Sequence, residues 1–157
     1  MSKEILYKSK RVDNGEWVCG LPTYKNYIRV FTEHEFEDED GKKIKYSTTK
    51  DYQVDPKTMC EFTSLIDKNG NKIFENDIVE YEDCPASDYY REDIIMNRGV
   101  IEFEDGAFFV TNRETVEMGD LVYSGVMECN VVGNTFDNPE LLEEEWNQYL
   151  SVSIVIL

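Results

Sequence analysis

Eight consecutive positions hold six carboxylates, at Glu33, Glu35, Glu37, Asp38, Glu39 and Asp40, with no lysine or arginine among them. Such a run reads either as a solvated acidic loop or as a protein-docking surface. In the second case its spaced carboxylates imitate DNA phosphates and occupy a basic groove on a partner. No ligand spacing within it points to a divalent ion. His34, the one histidine of the chain, lies inside the run. A histidine can act as a general base near neutrality, but no serine or cysteine stands at a telling spacing, so it reads as a surface residue. Lys3, Lys8, Lys10 and Arg11 form the one basic cluster. Lys8 and Lys10 share one face of an expected strand. They suit contact with a phosphate backbone, and equally an ordinary solvent face.

Asp67-Lys68-Asn69-Gly70-Asn71 has the opening of a calcium-binding EF-hand loop, but the sixth and twelfth positions fall on Lys72 and Ile78 rather than Gly and Glu. A hairpin turn is the expectation there, with Asp67, Asn69 and Gly70 as turn residues. Thr63 and Asp77 pair a hydroxyl with a carboxylate near a turn. Such groups more often bond nearby backbone than perform chemistry. Cys19, Cys60, Cys84 and Cys129 are scattered, with no CxxC spacing. They read as reduced thiols rather than a zinc site. Glutamates at 140 and 143–145 could supply paired carboxylates, but placement at a helix N-terminus explains them. The nine glycines are spread over turns and form no phosphate-binding loop. Tyr89-Tyr90, in a loop-like stretch, suit partner contact. The expectation is a chain that is not an enzyme and has no cofactor or metal.

The elements that must position these residues read as strands. Val and Ile number 14 and 11 against 2 Ala and 8 Leu, a composition suited to pleated, half-buried surfaces. Ile5–Val12 and Glu16–Leu21 flank Asp13-Asn14-Gly15, where Asn-Gly tolerates positive φ. Tyr27–Thr32 is a third strand, Glu33–Gly41 an acidic turn segment, and Lys42–Val54 extended again until Asp55-Pro56 breaks it. Glu61–Ile66 and Lys72–Phe74 flank the Asp67–Asn71 turn, and Asp77–Tyr81 follows. Glu82–Arg91 is the longest loop-like stretch. Ile94–Glu104 and Ala107–Thr111 form a hairpin closed by Asp105-Gly106, and Gly125–Val132 is a further strand. One helix is expected from Asn138, as its cap, to Leu150, with Leu142, Trp146, Tyr149 and Leu150 on one face. The apolar tail Val152–Leu157 should pair as a strand, within the chain or with a second copy.

Several stretches in this order carry a resemblance: Val54-Asp55-Pro56-Lys57-Thr58, Phe62-Thr63-Ser64-Leu65, and Asp67 through Val79. They continue with Gly99 through Phe108, Val131-Val132-Gly133-Asn134 and Asn138-Pro139-Glu140-Leu141-Leu142, and Arg11 through Val18 fits one branch. Together they resemble the YopX family of phage and prophage proteins, over nearly the whole chain. The resemblance implies a mostly β protein from a phage or prophage genome and supplies no catalytic residue to carry over. The family's usual glycines are replaced here by Ser64 and Asn76. Asn76 tolerates left-handed backbone. Ser64 does so less well, so either its backbone is ordinary or the family glycine serves packing room.

The net charge of −17 opposes nucleic acid at long range. No apolar run approaches the roughly 18 residues of a membrane span, and no secretory segment is read after Met1. The expectation is a mainly β, barrel-like or sandwich-like fold with an N-terminal β-subdomain and a short C-terminal helix. It forms a single unit over 1–157, subdivided at 1–54 and 55–157. The expected function is a non-enzymatic accessory protein in the bacterial cytoplasm. Its partners are a host or phage protein, met through the acidic run, and a second copy of itself. The alternative is a small β-barrel nucleic-acid binder using Lys8, Lys10 and Arg11.

Overall fold

The computed structural model describes residues 4–83, 95–111, 115–117, 122–123 and 126–143. The expected residues Lys3, Cys84 and Tyr89-Tyr90, the helix beyond 143 and the tail 152–157 lie outside these. The chain divides into two compact units, 1–62 and 63–157.

The first unit is an antiparallel sheet in the order β5–β1–β2–β3–β4. Its strands are β1 (Tyr7–Lys10), β2 (Trp17–Thr23), β3 (Tyr27–Glu37), β4 (Lys43–Gln53) and the start of β5 (Cys60–Ile66). Tyr7 and Lys8 pair with Glu61 and Cys60, which ties the start of β5 to this unit. Ile28, Val54, Cys60 and Phe62 are buried. Ser9 is buried with them, but its hydroxyl donates to the Asp55 carbonyl at 2.9 Å and meets the Thr58 hydroxyl at 2.8 Å. Asp55 caps the 3-10 turn Pro56–Thr58 by accepting from Lys57 N–H. The Val54–Thr58 motif is therefore a clasp on β1. Gly20 is demanded by packing: a Cβ there would lie 2.2 Å from the Arg29 carbonyl oxygen of β3.

The acidic segment departs from the expected turn over Glu33–Gly41. β3 runs on to Glu37 in unbroken register with β4, Glu37 facing Lys43, Glu35 facing Lys45 and Phe36 facing Ile44. The turn proper is short, with Asp38 N–H donating to the Lys42 carbonyl and Gly41 at φ 78°. Local composition suggested a loop because it counts acids along one strand. The ladder forms because the lysines and apolar side chains that match them come from the neighbouring strand.

The second unit holds a five-stranded antiparallel sheet in the order β10–β9–β8–β7–β13. These are β7 (Asp77–Asp83), β8 (Ile95–Glu104), β9 (Ala107–Thr111), β10 (Thr115–Glu117) and β13 (Cys129–Asn134). The later part of β5 pairs with β6 (Lys72–Phe74), and Ile66 pairs in parallel with Val126 of β12 (Val126–Met127). β12 makes a small hairpin with β11 (Val122–Tyr123). Ile73, Val79, Tyr81, Ile101, Val110, Met127 and Cys129 form the core, with Leu65, Phe108 and Val131 against it. Asp105 and Gly106, at φ 50° and 85°, close the β8–β9 hairpin, as a two-residue turn with two positive φ angles requires.

Three expected boundaries change. Glu82 and Asp83 belong to β7, not to the loop, because they pair with Met96 and Ile95. The expected strand Gly125–Val132 is broken at Glu128, where the chain leaves the partner of β5 and joins β7. Asn138 does not turn its side chain into the helix. Its Oδ1 accepts from Asn134 N–H at 3.3 Å, while its carbonyl accepts from Leu141 N–H. The helical turn spans 140–143 among the described residues. The mainly β fold with a short C-terminal helix is as expected, and neither sheet closes into a barrel among the described residues. No described helix is long and apolar enough to cross a membrane.

Candidate functional site

Alternation along the β3–β4 ribbon sorts its side chains onto two faces. One carries Glu33, Glu35 and Glu37 opposite Ser47, Lys45 and Lys43. Glu35 is paired with Lys43 at 3.0 Å and with Lys45 at 3.7 Å. The other face carries His34 and Phe36 opposite Tyr46 and Ile44. The His34 ring stacks on Tyr46 with centroids 4.8 Å apart, its Nε2 lies 2.9 Å from the Thr48 hydroxyl, and Phe36 meets Tyr46 edge-on at 6.0 Å. This aromatic group is folded yet wet: Phe36 and Tyr46 stay 49% and 48% exposed.

At the tip, the Asp38 carboxylate is used by the turn, accepting from Asp40 N–H at 3.0 Å and Lys42 N–H at 2.8 Å. Glu33, Glu37, Glu39 and the Asp40 carboxylate are exposed and have no partner among the described residues. The six acids expected together thus separate into one turn-former, one ion-paired residue and four unpaired carboxylates. The exposed pair of Phe36 and Tyr46 was missed, because Phe36 falls in a segment read as a turn and the pairing of that segment with the strand of Tyr46 was not foreseen.

The basic cluster is differently employed. The Lys8 and Lys10 ammonium groups lie 5.1 and 5.5 Å from the centroid of the Trp17 ring. Arg11 makes a forked pair with Asp13, which raises its own pKa and lowers that of Asp13, and its guanidinium covers the Tyr52 ring at 4.5 Å. The Trp17 and Tyr52 rings beside this cluster are therefore covered by cations of this chain.

The motif residues of the second unit hold turns. Asp67, 1% exposed, accepts from the N–H groups of Asn69, Asn71 and Val131 and from the Asn71 side chain. Burial pushes its pKa up, but these donors outweigh burial and the net shift is downward. Asn69 donates to Asn130, and Gly70 takes φ 83°. The buried Asp77 carboxylate accepts from Phe74 N–H at 2.8 Å, and the Thr63 hydroxyl donates to the Ile73 carbonyl at 2.9 Å. Ser64 is left-handed at φ 71° and Asn76 at φ 65°. Cys60 and Cys129 are buried and Cys19 exposed. Burial, helped by Asp67, pushes the Cys129 thiol up to about 12. No group of three or more His, Cys, Asp or Glu side chains is placed to hold a metal among the described residues.

A family model described as YopX protein matches residues 3–143. No curated protein matches the chain. Among solved structures, the crystal structure of protein EF1440 from Enterococcus faecalis is similar at 21% identity and a TM-score of 0.49. The match covers 90% of this chain and 99% of that one.

Proposed function

The chain belongs to the YopX family, and from that premise we propose that it is a non-enzymatic, phage- or prophage-encoded binding protein of the bacterial cytoplasm. Its partner is a basic protein of the host or phage, gripped by the β3–β4 ribbon. The observation that carries this reading is the make-up of the ribbon's end: unpaired Glu39 and Asp40 at its tip, exposed Phe36 and Tyr46 on one face and unpaired Glu37 on the other. Unpaired carboxylates steer a basic partner toward the site. Exposed aromatics give the apolar contact that a protein interface needs at its centre. Lys42, Lys43 and Lys45 interrupt the acidic surface, which favours a mixed apolar and acidic contact over a uniform imitation of DNA phosphates.

The test compares capture from host lysate, infected and uninfected, by the wild type and two variants. In one variant Glu37→Gln, Glu39→Gln and Asp40→Asn are combined, with Asp38 kept because it holds the turn. In the other, Phe36→Ser is combined with Tyr46→Ser. A basic protein held by the wild type in low salt and lost from both variants, with their circular dichroism unchanged, supports the reading. Equal capture by all three overturns it, as does recovery of nucleic acid instead of protein.

A further inference from the structure

β3 and β4 leave edges of different character. The outer edge of β4 carries Lys43, Lys45 and Lys50, and lysines on an edge strand discourage further pairing. β3 pairs with β2 only at Tyr27, Ile28 and Arg29. From 30 to 37 no described strand pairs with it on that side, and this stretch holds no lysine, proline or bulge. The stretch starts at a cleft of about 500 Å³ lined by Ile5, Leu6, Cys19, Leu21, Val30 and Phe31. Ile5, Leu21 and Phe31 are 62%, 38% and 53% exposed.

We propose that this edge is a strand-addition site, taking an extended segment of the basic partner with lysine or arginine at alternate positions followed by an aliphatic residue. The inference rests on the function proposed above and names the form in which the partner binds. An incoming strand antiparallel to β3 extends the antiparallel order of this sheet and satisfies backbone groups left open between 30 and 37. Side chains facing Glu37 and Glu33 are then best basic, since neither carboxylate has a partner among the described residues. The same strand, running on past Phe31, brings its next outward side chain to the apolar cleft.

The probe is a fluorescent peptide, Lys-Thr-Lys-Thr-Lys-Thr-Leu-Val, titrated into the full chain at low salt and read by anisotropy. Binding should weaken about tenfold in the double variant Glu33→Gln and Glu37→Gln, as loss of two exposed charge contacts predicts. It should weaken comparably in Leu21→Ser, and vanish when alternate peptide nitrogens are methylated. Hydrogen exchange should show new protection within 30–37. Equal binding of the methylated peptide, or protection elsewhere, overturns strand addition and leaves only charge attraction. If the probe fails while lysate capture still depends on the ribbon variants, this inference falls and the proposed function stands. If the probe binds as described while capture ignores the ribbon, the edge stands and the proposed function falls.

Discussion

Ser64 shows how a single residue can be held against its own preference. Left-handed backbone costs a side-chain-bearing residue about 1–2 kcal/mol, and Ser64 sits there at φ 71°. Glycine relieves that cost but gains about 0.4–1 kcal/mol of freedom in the unfolded chain. Ser64→Gly should therefore stabilise by about 0.5–1 kcal/mol, read as a higher urea midpoint at unchanged slope. A lower midpoint would mean that the serine side chain contributes something the backbone argument omits. Asp67 works the other way. Its folded pKa lies below the ordinary carboxylate value, so its stabilisation is complete above the unfolded-state value and is lost as pH falls through the folded one. Asp67→Asn should cost about 1–3 kcal/mol at neutral pH and flatten the loss of stability on acidification. A variant as acid-sensitive as the parent would contradict that assignment. Among the described cysteines, alkylation of the native protein near pH 8 should mark Cys19 and spare Cys60 and Cys129, with peptide mass mapping as the readout. These residue-scale facts were partly legible. Asp-x-Asn-Gly and Asp-Gly announce turns, because few residues accept positive φ. The strain at Ser64 was only half legible: the family glycine marked the position, but an ordinary backbone or a need for packing room was expected there, and the backbone is left-handed.

At the scale of elements, the helical turn at 140–143 is held to the sheet of its own unit by Arg98 of β8. The guanidinium pairs with Glu80 of β7, and its Nη1 donates to the Leu141 carbonyl at 2.8 Å. Arg98 and Glu80 side chains are mostly buried, so Arg98→Ala should cost about 1–2 kcal/mol. It should also raise hydrogen exchange at 141 and 142 above that of β8. Uniform protection would show that the helix is held by something else. The ribbon predicts the opposite behaviour. Phe36→Ser with Tyr46→Ser should change the midpoint little, because the two aromatics bury little. The strands of β8 and β9 were readable from alternation and Asp105-Gly106. The extension of β3 through 33–37 was not, since a ladder between two strands is a property of the pair.

At the scale of the whole molecule, a net charge of −17, with mainly exposed ion pairs among the described residues, makes self-repulsion a standing cost to the folded state. Moderate salt screens it, so the melting temperature should rise by a few degrees between about 0.02 and 0.3 M sodium chloride. A fall would show that the exposed pairs outweigh the repulsion. The sequence alone determined that the chain is a β protein, because β-branched and aromatic residues far outnumber alanine and leucine and such side chains suit pleated sheets. It also determined the turns at Asp67–Asn71 and Asp105-Gly106 and, through the order of its motifs, the family. Only the tertiary structure decided which strands became neighbours. The ribbon's two faces, the open edge of β3, the covering of Trp17 and Tyr52 by cations and the division of the acids into used and unused all depend on neighbours distant in sequence. Side-chain type and local spacing specify an element's conformation, whereas exposure and charge pairing are set by whatever the fold brings against it.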